Sequence, residues 1–402
     1  MEVKKGFKFG EVGTIPVDWK CGRIGEFATT SSGTTPSRRL QERYYHNGSI
    51  NWIKTLDLNN GEITTTDEKV TQAAINETSL TVYEPETVVV AMYGGFKQIG
   101  RTGLMKIPAC VNQALTAVKC NKSLLVPSFL LRVLNHRVDY WRSVASSSRK
   151  DPNITSKEVR EFPIPLPPTL AEQEAIAGAL SDADAWIESL EQLIAKKRKI
   201  KQGAMQELLT GKRRLPGFRD TWLVKRLGDI AHVSAGGTPS RSNRQYWDGE
   251  IPWVTTTEID FETVTQTAQY ITSEGLANSA AKLLPVGTLL MALYGQGKTR
   301  GKIGILGIEA ATNQACAAIE IRDASDPRFV MLNLVNRYDE IRSMSNNGNQ
   351  ENLNGKIVKS IVVALPQVNE QLASATRVSV STTLSEATTK VLKTFESVFH
   401  LC

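Results

Sequence analysis

The chain carries one ordered set of residues twice, and this duplication is the strongest constraint on its fold. Equivalent residues lie 203 positions apart near the N-terminus, and the offset falls in order to 198. Chance matches would not drift in this way, and the period is too long for a solenoid repeat. The sequence therefore predicts two tandem copies of one globular unit. The equivalent pairs include Trp19 and Trp222, Trp52 and Trp253, Tyr93 and Tyr294, Asn112 and Asn313, and Glu172 and Glu370.

Composition excludes several classes of protein. The 402 residues hold 48 Lys and Arg against 41 Asp and Glu, and the resulting charge of +7 permits a polyanionic partner. Five scattered cysteines and four histidines, without a CxxC or HExxH motif, argue against a zinc site and favour a reducing cytoplasm. The first residues lack the apolar stretch of a signal peptide, and the longest apolar stretch, 283–294, contains Pro285 and Gly287. We expect neither a secreted nor a membrane-spanning protein.

Each repeat predicts the same order of elements. Apolar runs at 87–92 and 288–293 are typical of strands, and Pro127–Ala145 and Pro327–Ser343 have helical spacing after an initial proline. A proline-rich strand follows at 162–168. We therefore predict an α+β chain with two tandem globular α/β domains.

The segment from Leu170 to Leu209 predicts a long coiled-coil helix. Its apolar residues recur at steps of four and three, with charged residues on the other faces. Such a helix would be roughly 60 Å long at ~1.5 Å per residue. The narrow seam requires a partner helix, which we expect after Pro366, and the basic run 196–201 would be a solvated or subunit-docking face. The predicted packing residues are Ile176, Leu180, Ile187, Leu190 and Ile194, together with Ala183.

No catalytic constellation is evident in the sequence. The tripeptide 297–299 reads Gly-Lys-Thr, but a phosphate loop needs Gly where Ala292 stands, and the first repeat has Lys97-Gln98 at the equivalent place. No Asn/Asp-Pro-Pro-aromatic methyltransferase motif occurs. Asp18 has the spacing of a nuclease site residue, but Thr221 replaces it in the second repeat. From these residues we therefore predict no catalytic site.

Two loops of each repeat mix glycine, hydroxyl, cationic and aromatic residues. Glycine allows close backbone approach, Lys and Arg neutralise phosphates, and Arg or Gln can pair with base edges. The alternative is ordinary turns with solvated cations, and the repeated tryptophans are expected to pack in the core rather than to stack on bases. The candidate DNA-binding residues are Ser37, Arg38, Arg39, Lys54, Tyr93, Lys97, Gln98 and Arg101 in the first repeat, and Ser240, Arg241, Thr257, Tyr294, Gln296, Lys298, Arg300 and Lys302 in the second.

The sequence resembles the specificity subunits of type I restriction–modification systems over about residues 10 to 371. Any one of the shared motifs is weak, but their order and their doubling are specific. The motifs are Ile15–Trp19, Pro216–Trp222, the Gly-Thr-Pro-Ser loop, the Asn-Gln-Ala triplet, and the central block Pro167–Ile176 that leads to Leu208–Gly211.

This resemblance implies two target-recognition domains, 1–168 and 211–366, held apart by antiparallel helices at 169–210 and 367–402. Each domain would read one half of a bipartite, asymmetric site in double-stranded DNA, and the helices would set the spacer. The partners would be two modification subunits, which methylate adenine, and restriction subunits, with no membrane partner. The chain itself would bind no cofactor and no metal, whereas S-adenosylmethionine, ATP and magnesium would belong to the partner subunits.

The C-terminal segment departs from the family pattern. Residues 372–384 are rich in Ser and Thr, which have poor helix propensity, and they lack the basic run of the first helix. We hypothesise a degraded or frameshifted end, although some helical spacing survives. Two other functions stay open at this point: a structural coiled-coil adaptor without DNA contact, and a nucleotide-binding enzyme that uses the loop 297–299.

Overall fold

In a computed structural model, the chain is described over residues 4–95, 97–145, 153–295, 298–344 and 352–399, with backbone alone at 380–389 and 395–399. It divides into two compact units, Met1–Trp186 and Ile187–Cys402, with the boundary inside a long helix. The elements described up to that helix are β1 (Phe7–Gly10), β2 (Gly13–Pro16), β3 (Lys20–Arg23), α1 (Ile24–Phe27), β4 (Ala28–Ser32), α2 (Gln41–Tyr44), β5 (Ile50–Ile53), β6 (Glu62–Ile63), β7 (Glu68–Val70), α3 (Gln72–Glu77), β8 (Val88–Ala91), β9 (Thr102–Met105), β10 (Ala109–Val111), β11 (Leu115–Cys120), α4 (Pro127–His136), α5 (Tyr140–Val144), α6 (Ser156–Arg160), β12 (Pro163–Leu166) and α7 (Leu170–Leu208).

Among the described residues, the second unit repeats this order without counterparts of β1, β2 and α2, which confirms the predicted α+β duplication. Its elements after α7 are β13 (Leu223–Arg226), α8 (Leu227–Ile230), β14 (Ala231–Ala235), β15 (Trp247–Val254), β16 (Thr263–Val264), β17 (Tyr270–Ile271), α9 (Ser273–Ala277), β18 (Leu289–Ala292), β19 (Ile303–Leu306), β20 (Ala311–Thr312), β21 (Cys316–Ile321), α10 (Pro327–Asn336), α11 (Tyr338–Ser343), α12 (Gly355–Ser360), β22 (Val362–Leu365) and α13 (Val368–Phe399).

Each unit is built on a five-stranded sheet. The strand order is β4-β11-β8-β9-β6 in the first unit and β14-β21-β18-β19-β16 in the second, and the last pair is parallel in both. A three-stranded sheet accompanies each, with order β10-β5-β7 and β17-β15-β20. The same topology thus arises twice from sequences that share only scattered residues.

The central strand β8 is apolar without alternation because it is buried on both faces. Val88 and Val90 belong to one apolar cluster, and Val89 and Ala91 belong to another. Successive strand residues point to opposite faces of a sheet, so a core on both sides requires a continuous apolar run. Strand β18 follows the same rule in the second unit.

The helix predicted after each sheet is interrupted. We expected one helix over Pro127–Ala145, but α4 ends at His136 and α5 starts at Tyr140. In the second unit α10 ends at Asn336, and α11 follows at Tyr338. The break lets Trp141 turn into the core, where it is 1% exposed and packs against Phe162 with ring centroids 4.6 Å apart.

Helix α7 has 39 residues and is therefore about 58 Å long at ~1.5 Å per residue. Between 178 and 200, the residues that are buried or half-buried follow the predicted spacing of three and four, and Lys197 extends it. Ile176, predicted to pack between helices, instead packs against the apolar cluster of its own unit. The buried or half-buried seam residues are Leu180, Ala183, Ile187, Leu190 and Ile194.

A buried glutamine attaches the start of each long helix to its globular domain. Gln173 is 1% exposed, accepts a hydrogen bond from the backbone N–H of Val126 (2.9 Å) and donates one to the carbonyl of Leu124 (3.1 Å). In the second unit, Gln371 accepts from the backbone N–H of Asp326 (2.8 Å) and donates to the carbonyl of Pro366 (2.8 Å). Both glutamines hold the N-terminal end of α4 or α10, so they fix where the long helix leaves the domain.

The glutamate that precedes each glutamine has a different partner in each unit. Glu172 accepts a hydrogen bond from the indole of Trp19 (3.0 Å). The equivalent Glu370 instead pairs with Arg214 through two hydrogen bonds of 2.9 and 2.5 Å, and the indole N–H of Trp222 has no hydrogen-bond partner among the described residues. At the same helix start, an ion pair thus replaces a hydrogen bond from a neutral donor to a carboxylate.

The C-terminal segment is helical from Val368 to Phe399 in spite of its Ser and Thr content. Ala375 and Val378 are buried in the apolar cluster of the second unit, which also holds Leu208 near the end of α7. Such tertiary burial can outweigh poor intrinsic propensity. The packing of 380–389 lies outside the described side chains, so a degraded tail stays a prediction.

Replacement of Gln173 by Ala should destabilise the first unit by about 3 kcal/mol, because a buried N–H and a buried carbonyl would have no partner. Gln192→Ala, on the exposed side of the same helix, is the matched control and should change stability by less than about 0.5 kcal/mol. Urea unfolding of the full chain measures both. Equal effects would show that the buried hydrogen bonds do not stabilise the helix start.

Candidate nucleic-acid interface

The first candidate loop follows β4 and is held against the sheet by a glycine. The N–H of Gly33 donates to the carbonyl of Leu115 (3.1 Å), and the N–H of Thr34 donates to the carbonyl of Val111 (3.0 Å). A Cβ atom at Gly33 would lie 2.1 Å from the Val111 oxygen, so no other residue fits here without backbone movement. The repeat reproduces this at Gly236, 2.2 Å from the Thr312 oxygen.

Arg38 lies on an aromatic platform in this loop. Its guanidinium carbon is 4.2 Å from the ring centroid of Tyr45 and 5.2 Å from that of Trp52, distances at which cation–π attraction is effective. The rings also hold the loop, since the Trp52 indole donates to the carbonyl of Thr34 (3.2 Å) and the Tyr45 hydroxyl donates to that of Pro36 (2.5 Å). We call Arg38, Tyr45 and Trp52 the first arginine–aromatic cluster.

Glu68 binds the exposed edge of this cluster. Both of its oxygens accept hydrogen bonds from Arg38 (2.9 and 2.7 Å), and Lys54 lies 3.0 Å away. These two cations lower the pKa of the Glu68 carboxyl to about 2. Arg38 and Lys54 therefore share one carboxylate that stays ionised at neutral pH.

The second unit has an equivalent cluster formed by Arg241, Trp247 and Trp253. The Arg241 guanidinium carbon is 3.6 Å from the Trp247 ring centroid and 5.0 Å from that of Trp253. The Trp253 indole donates to the carbonyl of Gly237 (2.9 Å), as Trp52 does to Thr34. Here Arg241 donates a hydrogen bond of 2.6 Å to the neutral side chain of Gln269.

The second candidate loop of the first unit joins β8 to β9 by tight turns. Gly94 has φ +114°, and a Cβ there would meet the Gln98 side chain at 2.0 Å, so this side chain lies over the glycine backbone. Tyr93 and Lys97 are exposed, and Gln98 and Arg101 are half-buried. The loop therefore presents an aromatic ring and cations on one short segment.

The corresponding loop of the second unit joins β18 to β19 and differs in its charges. Tyr294 and Lys298 are exposed, whereas Arg300 is only 7% exposed and so does not form part of the surface. Lys302 pairs with Asp260 at 2.6 Å. Gln296 lies outside the described residues.

The remaining candidates are polar surface residues near the first loops. Ser37, Arg39 and Ser240 are exposed, and the Trp247 indole donates to the Ser240 carbonyl (3.1 Å). Thr257 is exposed, and its hydroxyl lies 2.6 Å from that of Thr255. They flank the clusters without belonging to them.

The family model described as the type I restriction modification DNA specificity domain matches the chain twice, over residues 16–200 and 219–395. The chain belongs to this family. The specificity subunit of the type I restriction enzyme MjaIX from Methanocaldococcus jannaschii is 25% identical over 75% of this chain and 72% of its own length. The putative MjaX specificity subunit of the same organism is 22% identical over 93% and 89%.

A solved structure shares the fold of this specificity subunit. The S subunit of the type I restriction–modification system from M. genitalium superposes with a TM-score of 0.62 at 15% identity, over 99% of this chain and 96% of that one. Subunits of this family are not catalytic, and the chemistry lies on other subunits of the complex. In the described ranges, no three His, Cys, Asp or Glu side chains are placed to hold a metal ion, and no helix could span a membrane.

Sequence reasoning missed the residues that hold the two arginines. Tyr45 and Trp247 were not singled out because they lie outside the repeated motifs. Glu68 and Gln269 were not singled out because they lie 30 and 28 residues from their arginines along the chain. A signal was present: Glu68 and Gln269 stand 201 residues apart, as Trp52 and Trp253 do. This offset indicates that Glu68 and Gln269 are equivalent, but it does not indicate that they contact Arg38 and Arg241.

Glu68→Gln should make the stability of the specificity subunit less dependent on pH. The pKa of this carboxyl is about 2 in the folded chain against the ordinary 4.5, so its stabilisation is complete above 4.5 and disappears as the pH falls toward 2. The stability difference between wild type and Glu68→Gln should be constant from pH 7 to 5 and shrink by pH 3. Urea unfolding at these pH values measures the difference.

The control is Glu191→Gln, which removes an exposed carboxylate from α7. It should show no comparable shrinkage. A Glu68→Gln difference as large at pH 3 as at pH 7 would contradict the proposed electrostatic origin.

Proposed function

We propose that each globular domain of this specificity subunit reads one half of a bipartite, asymmetric site in double-stranded DNA. The two halves would be bound by the first domain, 1–168, and the second, 211–366. The helical segments 169–210 and 367–402 would hold the domains apart and set the length of the unread spacer.

One observation carries this proposal. An arginine lies on two aromatic rings at the equivalent loop of both units, Arg38 on Tyr45 and Trp52, and Arg241 on Trp247 and Trp253. The scaffold is thus kept while the surrounding polar groups differ. One scaffold with two sets of polar groups is what an asymmetric two-part site requires, because each half presents different base edges.

The complex would contain two modification subunits and the restriction subunits. The modification subunits would methylate adenine with S-adenosylmethionine, and the restriction subunits would act on DNA with ATP and magnesium in the cytoplasm. This chain would determine which DNA sequence the complex recognises and would supply no catalytic group.

Co-expression with the cognate modification subunit in a host without methylation should produce methyladenine at one gapped, two-part motif. Methylation mapping across the genome measures the motif directly. New methylation at an ungapped motif would contradict recognition by two separated domains. A soluble complex that methylates nothing would contradict the proposed function of this chain.

Alanine at Lys97, Arg101, Arg241 and Lys298 together should lower the affinity for duplex DNA and its salt dependence. Removing one cation that binds a phosphate reduces the slope of log affinity against log salt by about 0.9. The matched control replaces four other exposed cations by alanine, namely Lys119, Lys122, Arg322 and Arg328. They lie at the ends of β11 and β21 that are away from the candidate loops, or at the start of α10. Equal slopes for the two variants would favour a structural adaptor without DNA readout.

A further inference from the structure

The two units place a cation at the same two loop positions, but they pair these cations with acids in opposite ways. The first position holds Arg38 or Arg241, and the second holds Arg101 or Lys302. Arg101 and Lys302 are equivalent because they lie 201 residues apart. The same offset relates Asn60 and Phe261, which share the unusual feature of a positive φ. The cations can therefore be compared one by one.

At the first position, an acid binds the cation in the first unit alone. Glu68 holds Arg38 by two hydrogen bonds and also contacts Lys54. In the second unit Gln269 stands where Glu68 would be and Thr255 where Lys54 would be. The strand register agrees, because Trp52 pairs with Glu68, and the N–H of Trp253 donates to the carbonyl of Gln269. A charged pair has thus been exchanged for a neutral one.

At the second position, the acid is in the other unit. Lys302 pairs with Asp260 at 2.6 Å, and its side chain is 23% exposed. Asn59 stands at the equivalent of Asp260 in the first unit, and Arg101 at the equivalent of Lys302. Within the described parts of the chain, the Arg101 side chain makes no ion pair or hydrogen bond. At these two positions, each unit therefore keeps one cation free of an acid among the described residues, and it is a different one in each.

A cation bound to a carboxylate is a poor ligand for phosphate, because it must give up one anion to bind another. A cation without an acid partner can neutralise a DNA phosphate with its full charge and so displace counterions. We propose that Arg101 in the first unit and Arg241 in the second contact the DNA phosphates. Arg38 and Lys302 instead stabilise their loops through their ion pairs. This inference rests on the proposed DNA-binding function and assigns a different loop to the phosphate contact in each half.

The geometry of Arg241 suits such a contact. Its planar group lies on Trp247, and one terminal nitrogen is held by Gln269. Among the described residues, its Nε and its other terminal nitrogen have no hydrogen-bond partner, so their N–H groups remain available to donate to phosphate oxygens. In Arg38 both terminal nitrogens are already bound to Glu68.

Four single alanine variants of the full chain test this assignment, with a labelled 40-base-pair duplex of random sequence as the probe. Arg101→Ala and Arg241→Ala should each weaken binding about five- to tenfold at 0.1 M KCl and reduce the salt slope by about 0.9. Arg38→Ala and Lys302→Ala remove the same charge at the equivalent positions. They should reduce the slope by less than half as much.

A second set of variants keeps every cation and adds the missing acid. Asn59→Asp and Gln269→Glu give each free cation the partner that its counterpart has, and each should reduce the slope nearly as much as the alanine variant. Gln192→Glu on α7 adds the same charge away from the loops and controls for a general change in net charge. Thermal unfolding verifies that each variant is folded.

The outcomes separate the two proposals. Two results would overturn the assignment and leave the DNA-binding function standing. In both, the wild-type chain binds the duplex, and either all four alanine variants lose affinity equally or Arg38→Ala and Lys302→Ala lose more affinity. Failure of Asn59→Asp and Gln269→Glu to weaken binding more than Gln192→Glu would overturn it too. A folded wild-type chain that does not bind the duplex would overturn the proposed function and this inference with it.

Discussion

The attachment of each long helix to its own domain depends on one buried amide. Gln173 and Gln371 are buried, and each satisfies one backbone N–H and one carbonyl, because an amide side chain can donate and accept at once. An error in this attachment would be amplified along a helix of about 58 Å. The position of any group that α7 carries therefore depends on the two hydrogen bonds of Gln173, and α13 depends in the same way on those of Gln371.

The duplicated scaffold separates stability from recognition. The central strands β8 and β18 are buried on both faces and keep the sheets alike. The loops beside them keep their glycines, while residues packed near these loops exchange their charges, so that Glu68 becomes Gln269 and Asn59 becomes Asp260. Such exchanges alter the surface without altering the core, as the proposed recognition of two different half-sites requires.

The sequence predicted the repeat, the strands at 87–92 and 288–293 and the long helix, because each leaves a local or periodic pattern. It did not predict the break between α4 and α5, since residues 127–145 keep apolar spacing across the break. It also did not separate Arg300 from its exposed neighbours. The burial of Arg300 depends on how the loop folds back onto the domain, and the order of residue types along the chain does not show this.

The sequence by itself determined the duplication, the α+β class and the family, because the offset, the periodicity and the order of motifs can be read along the linear chain. The tertiary structure decided which cations are neutralised. Arg38 meets Glu68 across 30 residues, and Lys302 meets Asp260 across 42. The physical reason is that an ion pair depends on distances of about 3 Å in space, which only the pairing of strands and the course of loops bring about.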